Sequence, residues 1–344
     1  MIQKRHKIQI GRPDNIVIIL VGCGGTGSFV ALNLARFAVS NPQLKIRLLF
    51  VDFDQVEEKN IGRQYFCPAD VGRPKAQVLA TRLNLAFGLQ ITPIVGRFEA
   101  ALLADYRPDW SANGRLTLVV GCVDNPEARR TIGEAIEDKM EESIIHNQPL
   151  WWLDAGNDEV TGQVLIGNTL NPSPLLSKMG DCIGLPLPSV QEPQLVAPLV
   201  RPVPDEAALS CADLVALGTQ ARTINYQMAA WLDVYLERLL VSHDLDIMRT
   251  TINQRLGVAQ SQAITGGQVV EGRLKAEDYR PEGGEDAPAP ADLERVCPDC
   301  GRAGLIAGRD VIEGEMEDIV FCPYCDWQEL AVFEGLGVRT TMDD

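Results

Sequence analysis

Residues 16–39 read IVIILVGCGGTGSFVALNLARFAV, and the three parts of this stretch decide the fold. The first six residues are a continuous apolar run rich in β-branched side chains, the pattern of a strand buried on both faces. The last eleven place apolar residues at helical spacing. Between them Gly22, Gly24 and Gly27 stand at GxGxxG spacing, with Gly25 inside the turn. Small residues there let backbone N–H groups and a helix N-terminus approach phosphate oxygens. A tight turn with no ligand is the competing explanation, so the glycines alone do not assign a function.

The same alternation continues downstream. IRLLFVD (46–52) reads as a second buried strand and PKAQVLATRLNLAF (74–87) as a helix. ITPIVGRF (91–98), LTLVVGC (116–122) and WWLDAG (151–156) read as strands, with the helix PEARRTIGEAIEDKM (126–140) between the last two. Strands alternating with helices predict an α/β fold, a Rossmann-like, doubly wound and mainly parallel sheet. GQVLIGN (162–168) is a shorter strand, and 171–210 is proline-rich and aperiodic, which predicts a crossover loop. A long amphipathic helix (219–241) and the strand RTTINQRL (249–256) then close a domain spanning 1–266. Residues 267–295, rich in Gly, Pro and acid, read as a flexible linker to a small module at 296–344.

Composition narrows the function classes. The chain has 344 residues and a formal net charge of -16, so bulk nucleic acid is a poor partner, while a local basic pocket for one nucleotide remains compatible. No apolar run reaches membrane-spanning length, and the first ten residues lack the apolar region of a signal peptide. These features predict a cytoplasmic protein without a membrane partner.

The charge beside the glycine turn is concentrated in VDFDQVEEKNIGRQYF (51–66). Asp52 ends the second strand, where a carboxylate accepts hydrogen bonds from ribose hydroxyls, as it would in a dehydrogenase. Asp54, Asn60, Arg63 and Gln64 follow, and Lys75 stands at a helix start, where a cation is disfavoured by the helix dipole. A solvated surface lysine is the plain alternative. Together, Arg63 and Lys75 suit a polyphosphate, and a nucleoside triphosphate in particular. Asp124 and Asn125 follow the fourth strand at the same sheet edge; either would serve as a plain N-cap, and beside a triphosphate the Asp124 carboxylate suits Mg²⁺.

In order, GCGGTGS, DFDQVEEKNIGRQ, VGRPKA and CVDN resemble the motifs of the ThiF/MoeB/ubiquitin-activating type of adenylyltransferase, over residues 16 to about 255. The flavour is that of stand-alone bacterial ThiF-like proteins. The resemblance implies that the C-terminal glycine of a ubiquitin-like or sulfur-carrier protein attacks the α-phosphate of ATP, giving an acyl-adenylate. It assigns Asp52 to the ribose, Asn60, Arg63 and Lys75 to the phosphates and Asp124 to Mg²⁺. It further implies a homodimer with the arginine contributed across subunits, and a downstream conjugation or sulfur-transfer protein.

Ser210 and Asp213 have capping-box spacing, which predicts Cys211 in the first turn of a helix, where a thiol becomes a better nucleophile. The resemblance places an acyl-accepting cysteine there; Cys182 is the next candidate, and a small buried residue is the plain alternative. Cys297, Cys300, Cys322 and Cys325 form C-x₂-C-x₂₁-C-x₂-C, a zinc-ribbon spacing that predicts a closed Zn²⁺ site, with iron as the minority alternative. Both pairs follow the linker, whereas MoeB-like chains carry one pair inside the main domain, so the module is read as a partner-docking element. Competing functions are adenylation of a small or tRNA-borne carboxylate, a nicotinamide-dependent dehydrogenase, and a silent ATP-binding scaffold.

Overall fold

The computed structural model describes residues 5–106, 114–145, 149–158, 160–169, 181–182, 184–196 and 222–265, together with four strands between 306 and 340. The chain opens with β1 (Lys7–Ile8) and β2 (Asn15–Val21), then α1 (Gly25–Ser40) and β3 (Lys45–Val51). Next come α2 (Lys75–Phe87), β4 (Thr92–Ile94), α3 (Ala101–Asp105) and β5 (Arg115–Gly121). α4 (Pro126–Ile145) leads to β6 (Leu150–Asn157) and β7 (Thr161–Gly167). After β8 (Asp181–Cys182) and α5 (Pro188–Gln191), the helix α6 (Arg222–Leu240) precedes the hairpin of β9 (Ile247–Asn253) and β10 (Val258–Ala263).

Eight strands form one sheet in the order β10-β9-β7-β6-β5-β2-β3-β4. β6, β5, β2, β3 and β4 run parallel, while β7, β9 and β10 pair antiparallel at the other end. This is the expected doubly wound α/β architecture.

Its two covered faces explain the unbroken apolar run of β2. Ile16, Ile18 and Leu20 join the core under α1, α2 and α6. Val17, Ile19 and Val21 join the opposite core, with Leu103 of α3 and Ile132 and Ile136 of α4. Successive strand residues thus leave water in opposite directions, each fully buried aliphatic side chain stabilising the fold by roughly 1.5–3 kcal/mol. β2 has β3 on one side and β5 on the other, so successive crossovers depart in opposite directions and open a crevice at the carboxyl ends of the strands.

Three expectations need correction. The strand expected at 91–98 is only Thr92–Ile94; it lies at the sheet edge, where Pro93 is tolerated but the ladder is not prolonged. The last expected strand begins at Ile247 and turns through Gly257, at φ 65, into β10. β10, with the sequence VAQSQA, is mostly exposed and lacks the apolar signal that would have announced it. The span 171–210 is not wholly a loop: Leu185 and Leu187 are fully buried, and Gln191 Nε2 donates to Ile166 O at 2.7 Å and Pro186 O at 2.8 Å. Side-chain bonds to backbone carbonyls have no sequence period, so nothing in the pattern disclosed this anchored piece.

Near the C-terminus, β11 (Ile306–Ile312), β12 (Glu315–Phe321), β13 (Gln328–Glu334) and β14 (Gly337–Thr340) form a four-stranded antiparallel sheet. Residues 267–295, Ser210, Cys211, Asp213 and the four cysteines of the expected metal site lie outside the described residues. Among the described residues, no helix is long and apolar enough to cross a membrane.

Candidate active site

β2 ends at Val21 and the chain turns at Gly22, with φ 89. A Cβ at Gly22 would lie 2.6 Å from Cys122 O, and one at Gly27 would lie 1.8 Å from Gly22 O. Only glycine at both positions lets α1 start against the turn. No side chain caps α1, so its first N–H groups and dipole are presented to the crevice.

Asp52 closes the turn from β3. Its Oδ2 accepts from Cys23 N at 2.6 Å and its Oδ1 from Asp54 N at 2.7 Å. Burial raises its pKa, opposed by those two amides and by Lys75. The following loop is tied internally: Asn60 Oδ1 accepts from Glu57 N at 2.8 Å, leaving the Asn60 amide NH₂ as its donor at the crevice. From α2, Arg82 Nη1 donates to Tyr65 O at 2.7 Å, and its Nη2 pairs with Asp70.

Lys75 is not a solvated surface lysine. It is 6% exposed, and its Nζ lies 2.8 Å from Asp54 Oδ2. Asp54 thus turns the lysine inward at a helix start that would otherwise repel it.

These elements line one cleft of about 1430 Å³. Gly22, Gly24, Gly25, Asp52, Asp54 and Asn60 line it from the β2 and β3 side, with Arg63, Gln64 and Lys75. Asp124 and Asn125 line it from the end of β5. Asn125 is the N-cap of α4, its Oδ1 accepting from Ala128 N at 2.8 Å, so Asp124 is not needed for that role. Gly27 stands behind the turn. Gln64 Oε1 is buried without a hydrogen-bond partner among the described residues, a polar atom that suits a ligand. Arg63 lines the cleft of its own chain.

The scattered cysteines divide. Cys23 and Cys182 are buried. Burial first, then the Asp52 carboxylate, pushes the Cys23 thiol well up, and Cys182 Sγ donates to Gly184 O at 3.3 Å within the core. Buried thiols of this kind are inert, which weighs against Cys182 as an acyl acceptor.

The ThiF family model matches residues 12–194. The chain belongs to the ThiF family. Among curated proteins, this ThiF-family chain is 31% identical over 159 residues to ubiquitin-like modifier-activating enzyme 5 of Oryza sativa subsp. japonica, covering 43% of this chain and 34% of the relative. Against the Dictyostelium discoideum enzyme of the same name it is 34% identical over 135 residues, covering 35% and 32%. The chain thus spans about a third of the length of the curated relatives it matches. Among solved structures, E. coli MccB with ATP aligns with a TM-score of 0.46 at 18% identity, covering 73% of this chain and 64% of that one. PaaA aligns with a TM-score of 0.45 at 17% identity, covering 72% and 64%.

The ThiF-family cleft also contains residues that motif reading passed over. Thr26 Oγ1 donates to Asn157 Oδ1 at 2.8 Å and lies 3.2 Å from Asn225 Oδ1, which accepts from Asn157 Nδ2 at 3.2 Å. Asn225 Nδ2 in turn donates to Arg63 O at 3.4 Å. Asn225 is fully buried, so this knot ties α6, the glycine turn, β6 and the arginine loop together. Its members are remote in sequence, and only contact joins them. Phe53 is 51% exposed, with Arg97 over its ring at 4.4 Å, forming a planar cation and aromatic pair beside Asp52. Arg129 pairs with buried Asp154; its place one helical turn after Asn125 in CVDNPEARR was the available signal.

Proposed function

We propose that this ThiF-family protein uses ATP to adenylate the C-terminal carboxylate of a ubiquitin-like or sulfur-carrier protein ending in glycine. The observation that carries this reading is the convergence of Asp52, Asn60, Arg63, Lys75 and Asp124 on one cleft beside the uncapped start of α1. A pyrophosphate-bearing dinucleotide does not call for two cations, buried Lys75 and half-buried Arg63, in one cleft with the carboxylate that follows β5; a triphosphate does. The curated relatives' name, ubiquitin-like modifier-activating enzyme, supports a small protein as substrate.

In this reading Asp52 accepts from the ribose hydroxyls, with the Gly22–Gly27 turn and the N-terminus of α1 against the phosphates. Asn60 donates its NH₂, and Gln64 supplies a second polar contact. Arg63 and Lys75 neutralise charge on the phosphates; Asp54 orients Lys75 and Asn125 holds the start of α4. The carboxylate oxygen attacks the α-phosphorus, the bond to the bridging oxygen breaks, and pyrophosphate leaves with the electron pair. Catalysis is then positioning and neutralisation of developing charge. Asp124 together with nucleotide oxygens suits Mg²⁺, which would add to that neutralisation.

Three extensions belong to the same proposal. The Cys211 thiolate attacks the acyl carbon of the adenylate, AMP leaves with the bridging oxygen, and the resulting thioester is passed to a downstream conjugation protein or resolved by a sulfur-transfer protein. Cys297, Cys300, Cys322 and Cys325 hold Zn²⁺ in a partner-docking module. The β11–β12 hairpin supports this, pairing Ile306 with Phe321, the residue preceding Cys322 in sequence, so it folds back much of the long spacer between the two cysteine pairs. The protein works in the cytoplasm as a homodimer.

ATP–pyrophosphate exchange, measured with small proteins ending in glycine, tests the reading. Exchange dependent on such a partner, lost in Arg63→Ala, is the expected result. Failure of the intact chain to bind Mg·ATP would sink it.

A further inference from the structure

The cleft continues past the nucleotide residues, across the strand β6 and over the antiparallel end of the sheet, where Gly156, Gln163 and Thr251 line it. At the junction stands Arg129, in the first turns of α4. It is 7% exposed, and its Nε lies 3.1 Å from Asp154 Oδ2 and 3.4 Å from Oδ1; Asp154 is fully buried.

A guanidinium carries five N–H donors. Asp154 engages one of them, from the side, through Nε. Among the described residues neither terminal nitrogen of Arg129 has an acceptor, and both residues of the junction, Arg129 and Gly156, line the cleft. A Cβ at Gly156 would lie 2.7 Å from Arg129 Nη2, so the glycine is what lets the guanidinium lie along the β6 backbone. An arginine kept only to neutralise Asp154 would satisfy it with the two-pronged geometry that the pair prefers. Here Nε–H alone bonds the partner, and the two terminal nitrogens take no part.

We propose that Arg129 is the docking group for the substrate's terminal carboxylate. The inference rests on the adenylation reading and names the group that receives the acyl substrate. Position separates it from the ribose-binding carboxylate: Asp52 follows β3 and Asp154 lies in β6, three strand spacings apart in the sheet, roughly 14 Å. The group at Arg129 is therefore not the one that Asp52 holds. The open fork matches a carboxylate in two parallel N–H···O bonds, while buried Asp154 fixes the direction of the fork. Once adenylation has converted the carboxylate to an acyl-adenylate, the remaining charge sits on the AMP phosphoryl group and the acyl end no longer pairs with the guanidinium as an ion. Arg129 thus acts on capture and aim of the nucleophile, and its loss raises KM for the carboxylate more than it lowers kcat.

The test uses the full chain with a nonhydrolysable Mg·ATP analogue and dansyl-Gly-Gly, as the free acid and as the C-terminal amide. The wild type is expected to bind the acid at least tenfold more tightly than the amide. Arg129→Gln should abolish that preference while nucleotide affinity stays within about twofold. Because Arg129→Gln leaves Asp154 buried and unpaired, the double variant Arg129→Gln/Asp154→Asn is measured alongside, and should also lose the preference. A preference that survives in the double variant, or is absent from the wild type, overturns the inference, as does a parallel loss of acid, amide and nucleotide binding. If the wild type binds Mg·ATP and catalyses exchange while the preference is independent of Arg129, this inference alone falls; if it binds no nucleotide, the adenylation reading falls first.

Discussion

Lys75 Nζ and Asp54 Oδ2 stand 2.8 Å apart, the lysine side chain 7% exposed and the aspartate 48% exposed. The pair is asymmetric: the cation is sealed in and the anion stays wet. Removing Lys75 therefore leaves a carboxylate that water can solvate, so the fold should tolerate the change better than the chemistry does. Lys75→Ala is expected to lower pyrophosphate exchange by about a hundredfold, the scale for losing one preorganised electrostatic contact, with a small change in thermal unfolding. Lys75→Arg should not restore activity, because the planar fork does not fit a point-charge site. Parallel exchange and melting assays check both.

Gly27 offers a cleaner test of local geometry. Gly27→Ala forces a Cβ to within 1.8 Å of Gly22 O, pushing α1 off the turn. Unfolding in urea should show a loss of about 1–3 kcal/mol, the usual cost of overpacking. Gly96 lines the same cleft, but a Cβ there meets nothing within 4 Å. Gly96→Ala should unfold at nearly the wild-type urea concentration.

Acid should loosen the latch behind Arg63. Burial pushes the Asp70 carboxyl up, but the Cys67 amide and the Arg82 guanidinium outweigh it, and the net pKa is lowered. A carboxylate lowered on folding adds stability that is complete above its unfolded pKa, about 3.9, and is lost as pH falls through the folded value. Urea midpoints measured from pH 6 down to pH 3 should therefore fall more steeply in the wild type than in Asp70→Asn. Equal slopes would show that Asp70 does not contribute.

The knot at Asn225 predicts a selective defect. Its amide reaches Arg63 O, and its oxygen joins Thr26 and Asn157. Asn225→Ala should weaken Mg·ATP binding more than AMP binding, since the monophosphate makes less use of Arg63. Fluorescence titration with the two nucleotides reads the difference, and equal weakening would reduce Asn225 to a packing role.

For the cysteine module, metal analysis of the full chain should find one zinc per chain, released by Cys297→Ser. Deleting residues 290–344 should impair use of the partner protein while leaving ATP binding intact. An unfolded adenylation domain after that deletion would refute the docking role.

Much of the fold was legible because β2 and β3 are buried on both faces and so write themselves as apolar runs, and because Gly22 and Gly27 are demanded by backbone contacts under 3 Å. That Asp52, Asn60, Arg63 and Asp124 share one sheet edge was legible too, since the glycine turn, the 52–64 loop and the 124–125 turn each follow a parallel strand. β10 was not, being an exposed edge strand without an apolar face. Neither was the far side of the cleft: Arg129 and Asp154 belong to separate elements, and a buried ion pair has no sequence spacing of its own. Lys75 was placed correctly at a helix start, yet its burial depends on Asp54, which only the folded loop brings to it.

The reversal of strand direction at β6 divides the cleft into two kinds of wall. β2, β3, β4, β5 and β6 point their carboxyl ends the same way, so that side is built from turns whose backbone is held by parallel neighbours and has little freedom to vary. Beyond β6 the strands alternate in direction, and the floor is made of side chains standing on a sheet face, each replaceable without disturbing a turn. Substitutions on β7, β9 and β10 would thus reshape that wall while leaving the turns of the parallel side as they are.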